Sequence, residues 1–341
     1  MKAAFIKKFG EIEVKDVPIP KINSKEVLVK MKVCGICGTD IEKIKGESAT
    51  PLKLGHEVAG VIAEVGEKVK GFKVGDRVFI HHHVPCYTCY YCRRGDYTMC
   101  DEFPKSNLDP CGMAEYFRVP ETNIEKNAVL KLPSEVGFDE AALIEPIACC
   151  IRGLNKVKFN VGDDVLIVGA GPIGLIMISL LKMLGAGSII VSEIAQFRLS
   201  TAKKLGADLA LNPIKENLEE TVHKVTDGRG VDLAVVAVGS VKAVSQALDA
   251  LRKGGQLLLF GSPPTGSMLV YDANKIFLKE LKIIPSYSTT EIETNIVLKL
   301  LKLKKIDALK MISHRFKLEE AEKALKLAAE SDKTLKVLIY S

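Results

Sequence analysis

Apolar positions in the first part of the chain come in short runs, several with a period of two. In Val27-Leu28-Val29-Lys30-Met31-Lys32-Val33 every odd position is apolar, which sets one face of a pleated strand against a core. Ala3-Ala4-Phe5-Ile6 and Ile12-Glu13-Val14 precede it, and Pro18, Pro20 and Asn23 punctuate the interval as turns. Strand-like runs continue through Val58 to Gly66 and Gly75 to Ile80. The pattern predicts a β-rich first domain.

Near residue 150 the texture changes. Continuous apolar runs at Asp164 to Val168, Ser188 to Val191, Val231 to Val238 and Gln256 to Phe260 alternate with helical patterns at Ile173 to Leu184, Arg198 to Leu205 and Val244 to Leu251. Buried strands between amphipathic helices predict a parallel, doubly wound α/β sheet. Beyond Tyr287 come two more helical patterns, Glu293 to Leu303 and Leu318 to Ala329, and a last strand, Thr334 to Ile339. The boundaries expected are a β-rich first domain over 1–150, a doubly wound domain over 151–287 and a closing segment over 288–341. A chain of 341 residues suits two domains.

Composition narrows the class. At 47% hydrophobic and 26% charged, the chain reads as a folded globular protein. Its net charge of +6 is spread as isolated lysines, with no basic stripe for a nucleic acid. Lysines interrupt the apolar N-terminus too early for a signal-peptide core, and no run of membrane-spanning length follows, so a cytoplasmic protein is expected. Nine cysteines in a reducing compartment point to metal ligation before disulfides.

Gly169-Ala170-Gly171-Pro172-Ile173-Gly174 has G-x-G-x-x-G spacing and falls between a predicted strand and a predicted helix. Gly169 permits the tight turn, Gly171 lets the main chain approach a pyrophosphate, and Gly174 lets helix pack on strand. Glu193, 19 residues past Gly174, ends the next strand, where it accepts ribose hydroxyls and repels a 2′-phosphate. NAD is thus expected over NADP, although Arg198 offers a partner for such a phosphate. The competing reading, a glycine-rich structural turn, explains neither the flanking elements nor the distant acid.

Cys86, Cys89, Cys92 and Cys100 form C-x2-C-x2-C-x7-C. Four thiolates at this spacing close a tetrahedron around one zinc and leave no open position, the pattern of a structural site; an iron–sulfur cluster is the competitor. His81, His82 and His83 precede the lobe and are expected as lining or surface residues. Cys37-Gly38-Thr39-Asp40 and Gly55-His56-Glu57 add one thiolate and one imidazole from separate loops, each weak taken singly.

Taken in order, Gly35-Ile36-Cys37-Gly38-Thr39-Asp40, Gly55-His56-Glu57, the cysteine lobe, Gly112-Met113-Ala114-Glu115-Tyr116, Glu145-Pro146, the Gly169 loop and Arg198-Leu199 give a chain that resembles the zinc-containing medium-chain dehydrogenases nearly end to end. It looks most like the polyol branch, which includes sorbitol (iditol) and threonine dehydrogenases. The resemblance implies a GroES-like catalytic domain that the closing segment completes, and two zinc ions. Cys37, His56, Glu57 and Glu145 would hold the catalytic one, with Asp40 orienting His56 and Thr39 contacting the substrate oxygen. Pro172, Ile173, Glu193, Arg198, Phe260, Gly261, Ser262, Ser286 and Tyr287 would line NAD. The activity implied is hydride transfer from a secondary alcohol, a polyol such as sorbitol or iditol, to NAD, in a homodimer or tetramer. Threonine or a simple alcohol is the alternative substrate, and a non-catalytic zinc-stabilised nucleotide-binding protein the alternative class. Glu42 stands where many relatives carry a relay histidine, and Cys111 and Met113 replace a Gly and a Phe. Cys34, Cys111 and Cys150 are expected as small buried hydrophobes.

Overall fold

The computed structural model describes residues 1–46, 53–330 and 333–341, in two compact units: 1–148 with 288–330 and 336–341, and 149–287 with 331–335.

The alternation at the start of the chain builds the first unit. Strand Val27–Gly35 buries Val29, Met31 and Val33 completely and exposes only Lys30 and Lys32. Around it lies a seven-stranded sheet in the order Ile312–Lys317, Lys336–Tyr340, Val27–Gly35, Glu57–Val65, Arg77–Ile80, Val129–Lys131, with Tyr116–Val119 also pairing to Val27–Gly35. Val29, Met31, Val58, Ile62, Phe117 and Ile339 share its core. Burying each such side chain contributes about 1.5–3 kcal/mol. The register sets Gly35 opposite Glu57 on one side and Leu338 on the other, so loops carrying chemistry leave the sheet side by side.

The second unit is a six-stranded, all-parallel sheet ordered Leu209–Leu211, Ile189–Ser192, Val165–Val168, Val231–Val236, Leu251–Leu259, Lys282–Pro285. In chain order this is 3-2-1-4-5-6, with the switch point between the first and fourth strands. Val165–Val168 and Ile189–Ser192 are buried at every position, as strands covered on both faces must be. The α/β class, doubly wound sheet plus β-rich domain, is the one the patterning predicts.

The helix expected over Val244 to Leu251 runs instead over Val241–Asp249, and Leu251 already begins the next strand. Leu248, Ala250 and Leu251 are all fully buried, so periodicity cannot mark the boundary between them; Ser240, whose hydroxyl accepts from the amide of Ala243, fixes the true start. The helix expected from Leu318 opens with a 3₁₀ turn, Leu318–Glu320, before Ala321–Ala328.

Candidate metal centres and dinucleotide site

Cys37 is the residue before helix Gly38–Lys45, so its side chain stands at the helix's amino-terminal end. The Thr39 hydroxyl stands 3.7 Å from its Sγ. Asp40, fully buried, joins two loops: Oδ2 accepts from the amide of Cys37 at 3.1 Å and Oδ1 from that of Gly55 at 3.0 Å. The expected orienting contact to His56 is looser, with Nδ1 3.8 Å from Asp40 Oδ1, beyond hydrogen-bond length. Gly55 holds φ +77° and meets Met113 and Cys34 so closely that any Cβ would collide, which fixes where His56 departs. One donor atom each of Cys37, His56 and Glu57 lies within 4.8 Å of the others. Thiolate, imidazole and carboxylate so gathered match the ligand types and tetrahedral preference of zinc.

Glu57 has a partner that sequence reasoning missed. Lys336 Nζ donates to both of its carboxylate oxygens, at 2.7 and 2.6 Å, and to the carbonyl of Ile36 at 2.9 Å, with both side chains buried. Burial alone would lower the lysine's pKa, but the negative charges of Glu57, Cys37 and Glu145 outweigh it and raise it. Gly35 makes room, since a Cβ there would lie 2.1 Å from Glu57 Oε2. The available signal was one lysine inside the apolar strand Thr334 to Ile339. For His56, burial pulls downward, but the Cys37 thiolate, Asp40 and Glu145 raise its pKa to about 10. Glu145, in the first turn of helix Ile144–Lys156, is buried and acts electrostatically on His56 and Lys336, though it is not among the three gathered donors.

The four lobe cysteines also gather their sulfurs within 4.8 Å. Sγ of Cys86 accepts from the amides of Thr88 and Cys89 and from the Thr88 hydroxyl, and these bonds lower its pKa to about 6. Cys100 Sγ accepts from the amide of Cys86. Among the described residues, the lobe's small core beyond the cysteines consists of Phe103 and Tyr97, so a metal held by the four sulfurs would add folding energy where apolar burial is slight. His81, His82 and His83 are all buried, and the His82 ring packs 4.9 Å from that of His56, so they line the first centre. Cys34, Cys111 and Cys150 are buried; burial pushes the Cys111 thiol up to about 12 and raises that of Cys34.

Apart from Arg198, which lies in helix Gln196–Leu205, the residues expected at the nucleotide follow the carboxyl ends of parallel strands, the edge where such sheets bind ligands. Gly169, at φ +97°, follows Val165–Val168 and turns into helix Pro172–Leu184, with Gly171 at its N-cap and Ile173 and Gly174 in its first turn. A Cβ on Gly174 would fall 1.9 Å from the carbonyl oxygen of Gly169, whereas one on Gly171 would meet only Arg198, at 3.6 Å. That opening and the unpaired amides of the first turn suit a pyrophosphate. Phe260, Gly261 and Ser262 follow Leu251–Leu259, and Ser286 and Tyr287 follow Lys282–Pro285. The Ser286 hydroxyl is buried without a partner, as a group awaiting a ligand would be. Glu193 spends both oxygens on the main chain: Oε2 accepts from Ala170, and Oε1 from Ile194 and Ala195. It braces the glycine loop besides carrying charge. Arg198 is tethered by its Nε to the carbonyl of Thr334.

A β-rich unit with a Cys–His–Glu group and a four-cysteine lobe, in one chain with a 3-2-1-4-5-6 parallel sheet, defines a metal-dependent, nucleotide-using oxidoreductase. Family models agree: that of the alcohol dehydrogenase GroES-like domain matches residues 23–134, and that of the zinc-binding dehydrogenases residues 172–303. The chain is 32% identical to the sorbitol dehydrogenase of Bacillus subtilis (strain 168), over 100% of this chain and 97% of that one. It is 37% identical to the L-threonine 3-dehydrogenase of Pyrococcus horikoshii, over 96% and 94%. A zinc-binding dehydrogenase of Sinorhizobium meliloti 1021, solved with NADP bound, superposes with a TM-score of 0.89 at 28% identity, covering 100% of this chain and 99% of that one. This chain belongs to the zinc-containing medium-chain alcohol dehydrogenase family.

Proposed function

We propose that the protein is an NAD-dependent polyol dehydrogenase, which moves a hydride from a secondary carbinol carbon to NAD and carries two zinc ions per chain. The observation that carries this is the gathering of Cys37, His56 and Glu57 in a chain whose other unit has the nucleotide-binding edge. A zinc bound there supplies Lewis acidity, which makes a secondary alcohol easier to deprotonate. Thr39, beside Cys37, is placed to accept a hydrogen bond from the substrate hydroxyl and to begin a relay in which it passes its own proton on toward the cofactor ribose. Asp40 ties the Cys37 and His56 loops to one another, and Lys336 holds Glu57 in a single orientation. Glu145 completes the ligand set directly or through water.

A neutral polyol suits the centre better than threonine, which brings a carboxylate. Two buried lysines of the first unit stand near this chemistry: Lys43, whose charge acts on His82, and Lys336, whose charge is coupled to Glu57 and Cys37. Lys336 is bound to Glu57, and Lys43, also buried, donates to the carbonyl of Lys53. Neither is free for a carboxylate. The Glu193 charge supports NAD over NADP by at least about tenfold, or about 1.4 kcal/mol. Among the described residues no helix is long and apolar enough to cross a membrane, and the proposed setting is the cytoplasm, with a homodimer or tetramer as the working form.

Purified protein assayed for NADH formation with sorbitol and other polyols, threonine and simple alcohols tests the reading, with zinc counted per chain. Turnover of polyols with NAD and two zinc ions is expected; one zinc and no turnover would leave a binding protein. Glu145→Ala should cost orders of magnitude in kcat and loosen the exchangeable zinc, whereas Cys149→Ala, which removes the competing candidate ligand four residues further along the chain, should leave zinc content intact. The reverse result would remove the chain from the polyol branch.

A further inference from the structure

The run His81-His82-His83 follows strand Arg77–Ile80, and its three imidazoles are held differently. His81, fully buried, donates from Nε2 to the carbonyl of Thr289 at 3.1 Å, which leaves Nδ1 a bare acceptor that nothing can reach. His83 donates from Nδ1 to the carbonyl of Ser106 at 2.6 Å. Main-chain carbonyls thus fix the outer two rings. His82 lies between them against His56, with ring centroids 4.9 Å apart, and no protein group bonds its Nδ1. Its Nδ1 is as buried as that of His81, but the residue as a whole keeps 9% of its surface exposed, whereas His81 keeps none.

An unpaired polar atom in such a place costs about 1–3 kcal/mol, and a phenyl ring of the same shape would pack there without that cost. Turned to the exposed side of the ring, the nitrogen can find its partner on a ligand, a route that fully buried His81 lacks. We propose that His82 is a specificity residue of the alcohol site, hydrogen-bonding a hydroxyl on the carbon next to the one oxidised. The inference rests on the polyol reading and names what distinguishes a polyol from a simple alcohol here. An imidazole nitrogen donates or accepts according to tautomer, as a hydroxyl does, so the pair needs no charge. A half-turn about χ2, a broad two-fold torsion, presents the nitrogen on either edge of the ring.

The test compares a butanediol with adjacent hydroxyls against secondary butanol, with NAD and zinc-loaded full-length protein. In His82→Phe, kcat/KM for the diol should fall about tenfold, mainly through KM, while that for the mono-alcohol moves by less than about threefold. His82→Leu should show the same selective loss. His82→Asn, which restores a donor and an acceptor near the Nδ1 position, should recover part of it. The diol's thermal stabilisation of the protein should shrink and return in step. Equal losses on both substrates, or no loss on the diol in a wild type that oxidises it, overturn the role of His82 and leave the polyol reading standing. A wild type that oxidises no polyol overturns both.

Discussion

Lys336 and Glu57 show how much one buried pair decides. Either charge alone in that interior is costly, and removing one partner of a buried, hydrogen-bonded pair typically destabilises by about 3–5 kcal/mol. Lys336→Met should therefore lower the melting temperature of zinc-free protein markedly, and zinc should recover more stability in the variant than in the wild type, because a cation can answer the stranded Glu57. Lys336→Arg should sit near the wild type. Equal melting of zinc-free wild type and Lys336→Met would falsify the structural role of the pair. Glu291 is the opposite case, a buried carboxylate whose Oε2 has no partner; burial and the nearby Glu293 lift its pKa to about 7. The folded chain then holds this proton more tightly than the unfolded one. Stability should fall as pH rises from about 4.5 to about 7, with the full penalty above that. Glu291→Gln should flatten thermal melting across this window and melt higher than wild type on its alkaline side; parallel profiles would rule the effect out.

Among elements, those legible in the sequence were the ones whose apolar period is unambiguous. Val165–Val168 and Ile189–Ser192 are continuous buried runs, and Val27–Gly35 alternates through its middle, where Lys30 and Lys32 are exposed between buried neighbours. Helix Ile144–Lys156 was not foreseen, because Pro146 looks like a break although it sits in the first turn, where proline is tolerated. Strand Lys282–Pro285 was missed because its residues are largely exposed and carry no core signal. At the metal centres the ligand types were readable, since thiol and imidazole chemistry shows in spacing; Lys336 was not, because its partner lies 279 positions away in the chain. The cysteine lobe is the element where spacing alone said most, and it makes a direct prediction. Cys92→Ser should lose one zinc per chain and melt lower, since a closed thiolate site carries folding energy and no substrate position. A variant with full zinc content and unchanged melting would sink the structural-site reading.

At the scale of the molecule, the second unit's sheet ends at Lys282–Pro285, whose outer edge has no strand beside it among the described residues. The segment leading into that strand is unusually apolar at its surface. Met268, Val270, Phe277 and Leu278 are 81%, 86%, 78% and 66% exposed, and Ile283, on the edge strand itself, is 37% exposed. Soluble monomers seldom leave both an open strand edge and large apolar side chains together, because each invites association. A two-fold contact resolves both at once: an isologous pairing sets the same edge against its copy and lets Phe277 and Leu278 cover the partner's apolar side chains. Light scattering on the eluting wild type should then give the mass of a dimer or a dimer of dimers. Phe277→Glu puts a carboxylate in the middle of the buried patch and should lower that mass toward one chain, while leaving the zinc content of both centres unchanged, since none of their ligands lies in this region. A wild type that elutes as one chain, or a Phe277→Glu variant that keeps the wild-type mass, would show that this edge is not the interface and that the exposed apolar residues need another explanation.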